Sequence, residues 1–346
     1  MLVLMGSMGA ALIVMMGMHL PANASSTAGP QDSIDQPDGV HHAPPEEAQD
    51  EAAEETVQPA EAVIDVVEQP PLWGAMLTQA AMAVGSVVVM LIVMRRRWFD
   101  LKGEPQGLPP LILVPLALFL LIFVAQGVGM SIAAAMLMAS DGTTGEAETL
   151  NGQNMLRLGA YLAALPFIVA TFWWWRSQPA VPQAPARVSI GKAIVYGGIG
   201  VVMIWPLVQM LALAGGLVEQ VIFHREVDSV AHETLDMLQA TDDRGAKLLA
   251  MVLVVVGAPI VEEVMYRSLL QRGLQQLFLS NWLGIVGSAS IFTLMHIGAV
   301  DAHALPVMLL LGIGFGLVYH RSGRLLAAIV MHSAFNGLNL TLAMLG

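Results

Sequence analysis

The chain has 346 residues, of which 56% are hydrophobic and only 12% charged, and its mean hydropathy is +0.67. A soluble domain carries about 25% charged residues, so this composition excludes an ordinary soluble protein and describes one that lies mostly in a membrane. The net charge of −12 is local, because 12 of the 27 acidic residues fall between Asp32 and Glu68, where there is no Lys or Arg. That surplus describes a tail, and nothing in the chain offers the basic surface that nucleic acid requires. The absence of cysteine excludes disulfides, Cys-ligated zinc and thiol catalysis.

Residues 1–24 form an apolar run that ends in an Ala22-x-Ala24 step, the pattern of a signal-peptidase site, without Lys or Arg ahead of it. A signal peptide and an uncleaved first helix both fit. Residues 25–71 are rich in Pro, Ala, Asp, Glu and Ser, too poor in apolar surface to offset chain entropy, and read as a disordered acidic extracytoplasmic linker. Apolar segments then recur at 73–94, 110–139, 155–175, 193–222, 247–268, 282–302, 305–319 and 325–345. Most reach the ~20 residues that cross ~30 Å of hydrocarbon. The expected fold is an all-α polytopic transmembrane helix bundle of about eight spans. Residues 72–246 supply its N-terminal helices, and 247–346 a catalytic membrane domain.

With the acidic tail outside, the cytoplasmic loops and helix ends hold Arg95, Arg96, Arg97, Lys102, Arg176, Arg187, Lys192, Arg267, Arg272, Arg321 and Arg324. The external side keeps Arg157, Arg225, Arg244 and Lys247. That asymmetry satisfies the positive-inside rule and suits a multi-pass protein of the cytoplasmic membrane.

Three polar clusters interrupt the last four apolar segments: Glu262-Glu263-x-x-x-Arg267, Phe292-x-x-x-His296 and His332-x-x-x-Asn336. A charged side chain at bilayer depth costs roughly 2.5–3.5 kcal/mol on insertion scales, so it faces a protein interior and serves a function there. On a helix Glu263 and Arg267 share a face and can pair. Glu262 is rotated about 100° away and is free to serve as a base for water. His296 reads as an imidazole within an apolar helix, and His332 and Asn336 project together from the last helix. An imidazole can bind a metal or donate a hydrogen bond, and a carboxamide can steady an oxyanion.

In this order the three motifs resemble those of the intramembrane CAAX-processing proteases and bacteriocin-processing enzymes, the CPBP or Abi family that includes the type II CAAX prenyl endopeptidase. The resemblance covers the C-terminal segment; residues 73–246 match only as generic spans. It implies a glutamate-dependent endopeptidase acting on a membrane protein or peptide in the lipid bilayer. Glu262 would activate the attacking water, with Glu263 and Arg267 orienting it. His296 would help to hold the water or a metal, and His332 and Asn336 would stabilise the oxyanion. A divalent metal, zinc by preference, could take Glu262, His296 and His332 as ligands with water in the fourth position; a metal-free mechanism uses the same residues. A non-catalytic scaffold or immunity protein, or an ion-coupled transporter, is the competing reading of the same cluster.

Gly312-x-x-x-Gly316 reads as a close-packing stripe. Asp301 and His303 are expected in a solvated external connection, His320, Arg321 and Arg324 at the headgroups, and 223–244 in an external amphipathic loop.

Overall fold

The structure, a computed structural model, describes residues 72–101, 113–141, 149–177, 188–222, 224, 237–238, 240–298 and 300–345. The signal-like segment, the acidic linker and most of the charged connection at 223–244 lie outside the described residues. Among those described the chain is helical, without a strand beyond the isolated bridge between Ile297 and Val300.

The elements are α1 (Leu72–Arg95), α2 (Leu113–Asp141), α3 (Leu150–Ser177), α4 (Ile190–Ile222), a composite α5 (Arg244–Leu277), α6 (Asn281–Leu294), α7 (Leu305–Ser322) and α8 (Leu325–Leu345). Eight crossings were expected from hydropathy. Among the described residues six stretches are long and apolar enough to cross a membrane, namely 113–140, 150–177, 190–222, 244–277, 302–322 and 325–342. Two further apolar stretches, Ala80–Arg95 and Asn281–Leu294, are shorter.

Helix α5 forms the centre and touches α2, α3, α6, α7 and α8; α4 packs on α1, α7 and α8. Lipid takes the outward faces, where Leu162, Val169 and Val202 are exposed. Close approach requires small residues at the crossings. A Cβ on Gly129 would stand 2.2 Å from the Gly159 carbonyl oxygen, so α2 and α3 meet backbone to backbone. The Gly312 stripe does the same work: α7 rests there on Ala289 and Phe292 of α6, and at Gly316 on Gln271 of α5.

Helix α5 is not uniform. Asp243 caps its N-terminus, accepting from the backbone N–H groups of Gly245 and Ala246. The N–H of Ala246, the amide of Asn151 and the N–H of Gly245 hold the Asp243 carboxyl below the usual carboxylate range. The helix widens into π geometry at Leu253–Gly257 and again at Val264–Gln271, leaving the α-turn Ala258–Glu263 between. Pro259 accounts for the first widening. It has no N–H to continue the ladder and its ring clashes with the preceding turn. In the π register the Ala258 N–H reaches the Leu253 carbonyl. By the same i→i−5 step Pro259 would serve Val254, and it cannot.

The end of the bundle that carries Arg97, Arg321 and Arg324 differs from the expected headgroup contacts. Arg321 donates to the carbonyls of Arg97 at 2.7 Å and Trp98 at 2.6 Å, and Arg324 donates to the Val188 carbonyl. These guanidiniums satisfy backbone groups left open after α1 and before α4. Arg157 and Arg267 also leave the loop tally, since both are buried within the bundle.

Candidate active site

Glu262 and Glu263 lie on the short α-turn between the two π segments of α5. That turn sends them to different partners. Glu263 is fully buried and occupied on both oxygens: Arg267 Nε donates to Oε2 at 2.9 Å, and His332 Nδ1 donates to Oε1 at 2.9 Å. A carboxylate only accepts, so His332 carries a proton on Nδ1 and leaves Nε2 as its other polar atom. That nitrogen stands 3.9 Å from Glu262 Oε2, too far for a direct hydrogen bond. Glu262 Oε2 is buried and has no hydrogen-bond partner.

Aromatic rings fix the rest of the cluster. The Arg267 guanidinium lies between Phe292 and Phe315, 5.6 and 5.7 Å from their centroids. Such cation–π contacts compensate a desolvated cation. Phe315 also stacks on His332 at 4.6 Å and 17°. Phe292, the aromatic of the second motif, meets Tyr266 edge-on at 5.0 Å. The motif phenylalanine is thus part of the wall that holds Arg267 and, through it, Glu263.

His296 differs from expectation in its setting. Helix α6 stops at Leu294, and His296 sits in the turn that follows, where Gly298 takes φ +83°. Its Nδ1 donates to the Phe292 carbonyl, its ring tilts against the Phe292 ring at 4.4 Å, and it stays buried. Both imidazoles therefore present Nε2 as the open atom.

Asn336 spends one hydrogen of its amide on the Val254 carbonyl at 3.0 Å, the acceptor that Pro259 leaves unserved. Its Oδ1 is buried without a partner. The structure thus brings Glu263, Arg267 and His332 into one bonded unit, with Glu262 beside it and Asn336 tied to the adjacent π turn.

As ligand candidates, Glu262, His296 and His332 offer suitable chemistry and the right open nitrogens. They do not fit a metal in this arrangement: among the described residues no three His, Asp or Glu side chains gather closely enough to hold an ion.

The motif reading missed a polar stripe on α3. Asn154, Arg157 and Tyr161 are buried on the face turned toward α5. Their i, i+3, i+7 spacing was the available signal. It also placed His303 in solvent, whereas His303 is buried and paired with Glu219 of α4; Asp301 is exposed as expected.

A helical membrane bundle with a buried carboxylate–imidazole–guanidinium unit defines a class of multi-pass protein with a polar centre inside the bundle. Residues 244–338 match the family model described as type II CAAX prenyl endopeptidase Rce1-like. The matched segment runs from the start of α5 into α8 and contains all three motifs, which supports placing this part of the chain with the CAAX proteases. No curated protein and no solved structure matches the chain.

Proposed function

We propose that the chain is a glutamate-dependent endopeptidase of the cytoplasmic membrane that hydrolyses a peptide bond of a membrane-associated protein or peptide. The observation that carries the reading is the division of labour between adjacent carboxylates. Glu263 is saturated by Arg267 and His332, while Glu262 keeps an unpartnered oxygen facing His332 Nε2.

A water placed between Glu262 and His332 Nε2 donates a hydrogen bond to each. Glu262 takes a proton from it as the oxygen attacks the scissile carbonyl carbon, and returns that proton to the leaving nitrogen as the C–N bond breaks. Water is consumed, and a carboxyl and an amino terminus are formed. Asn336 retains a second amide hydrogen beyond the one given to Val254, and this donates to the developing oxyanion. Glu263 keeps His332 in its tautomer and orientation, and His296 closes the site from the end of α6. No step is routed through a metal.

The test uses the purified chain in liposomes, supplied with solubilised membrane proteins from its own cells, with new termini followed by mass spectrometry. Termini are expected to arise at the same rate after exhaustive chelation. A loss of activity that zinc restores would replace this mechanism with a metal-dependent one, and no new termini at all would remove the endopeptidase reading. Asn336→Ala is expected to lower turnover by about 10²–10³-fold, the cost of an oxyanion donor. If only thermal stability falls, the residue serves the Val254 carbonyl alone.

A further inference from the structure

Between α1, α4 and α7 the bundle leaves a groove of about 540 Å³, within the ~300–1,000 Å³ that small-molecule sites occupy. Its walls are aliphatic and aromatic and hold no charged residue. A peptide backbone or a polar substrate would lose its hydrogen bonds there, whereas a hydrocarbon chain loses nothing.

Charge gathers at one end of this groove. On α1 the lining pair Val89 and Val93 is continued three residues on by Arg96, with Arg95 beside it. On α4 the face that presents Ile204 and Gly200 runs back in steps of four through Tyr196 to Lys192. On α7 Gly314 and Leu317 lead to Arg321. The three helix ends converge: the Tyr196 ring meets Trp98 at 6.3 Å, and Arg321 donates to the carbonyls of Arg97 and Trp98. Arg95, Arg96 and Lys192 are exposed. Among the described residues Asp100 is the acidic group at this end, and it pairs with Arg97 at 3.4 Å. The end therefore keeps a positive excess.

The mouth of the groove is built. Trp98 and Phe99 line it from the turn that follows α1, where Arg97 takes φ +53°. Arg321 holds that turn from α7, and Trp282 Nε1 donates to the Phe99 carbonyl at 3.2 Å from α6. Met331 of α8 makes the floor, since a Cβ on Gly200 would stand 2.6 Å from its Sδ and one on Gly314 3.3 Å from its Cε. His332 is the next residue, so whatever fills the groove rests on the wall behind the polar centre.

We propose that this groove is a phospholipid site. One acyl chain of an anionic phospholipid from the surrounding bilayer lies against α1, α4 and α7, and its phosphate is met by Arg96 and Lys192. Basic groups at the ends of membrane helices hold anionic headgroups in this way. An apolar helix of another protein would cover the groove but leave the cations at its mouth without a counter-charge. The assignment does not depend on the endopeptidase reading.

The test uses the full chain, purified in neutral detergent and stripped of lipid. It is titrated with phosphatidylglycerol, with phosphatidylcholine of the same chains, and with glycerol 3-phosphate, and followed by melting temperature and native mass spectrometry. Saturating phosphatidylglycerol is expected to raise Tm by about 4–8 °C and to remain bound as a single molecule per chain. Phosphatidylcholine is expected to give less than half that gain, and glycerol 3-phosphate none. The double variant Arg96→Gln with Lys192→Gln changes exposed residues, so its lipid-free Tm is expected to stay within ~2 °C while the preference for phosphatidylglycerol disappears. Val89→Trp fills the groove with the charges intact and is expected to abolish the bound lipid. Equal gains from the two lipids, or a phosphatidylglycerol gain that survives the double variant, overturn the proposal. A full gain from glycerol 3-phosphate overturns it as well, by showing an anion site without the groove. So does a dimer mass that Val89→Trp dissociates, which would give the groove to a second copy of the chain.

Discussion

Glu262→Gln is expected to remove turnover by about 10²–10⁴-fold, the range a general base contributes, while the protein still inserts and folds. The substitution keeps the size and planarity of the side chain. Because Glu262 Oε2 makes no hydrogen bond, no bonded partner of that oxygen is stranded. The amide cannot take the proton from water, so the attack loses its base. The check is the rate of cleavage of one identified substrate by the reconstituted variant, set against its melting temperature. Near-normal turnover would end the mechanism.

Arg267→Ala is the second large effect, and it is expected in stability before activity. Arg267 and Glu263 are both at zero exposure and bonded at 2.9 Å. Removing one partner of a buried pair leaves an uncompensated charge and costs about 3–5 kcal/mol. The aromatic walls at Phe292 and Phe315 lose the cation they enclose. Glu263 then competes for protons and for His332, so the imidazole loses its fixed tautomer as well. Thermal unfolding in detergent should show a large drop in Tm, with turnover lost even at temperatures where the variant remains folded. An unchanged Tm would mean that the pair contributes nothing to the bundle.

Much of this was legible in the chain. The apolar segments announced helices because only internally satisfied backbone crosses a membrane, and each segment corresponds to one. Glu263 and Arg267 met as their i, i+4 spacing requires. His332 and Asn336 share a helix face but serve different neighbours, one a carboxylate and the other a carbonyl. That second assignment was hidden because the open carbonyl of Val254 exists only through the π register imposed at Pro259. His296 was read as helical because its segment is apolar throughout. The chain leaves the helix at Met295, and Gly298 provides the positive φ that the turn needs. Arg157 and Tyr161 were passed over for a different reason: Arg157 falls at the edge of its apolar segment, where charge counting assigned it to a loop. His303 was misplaced because its partner, Glu219, lies far back along the chain in α4, beyond the reach of local pattern.

The central claim is that the Glu262 centre cuts peptide bonds. The most direct test compares membranes from cells carrying the wild-type chain with membranes from cells carrying Glu262→Gln at equal abundance, by quantitative mass spectrometry of all protein termini. A defined set of termini is expected with the wild type and missing with the variant. Identical termini in both would contradict the claim.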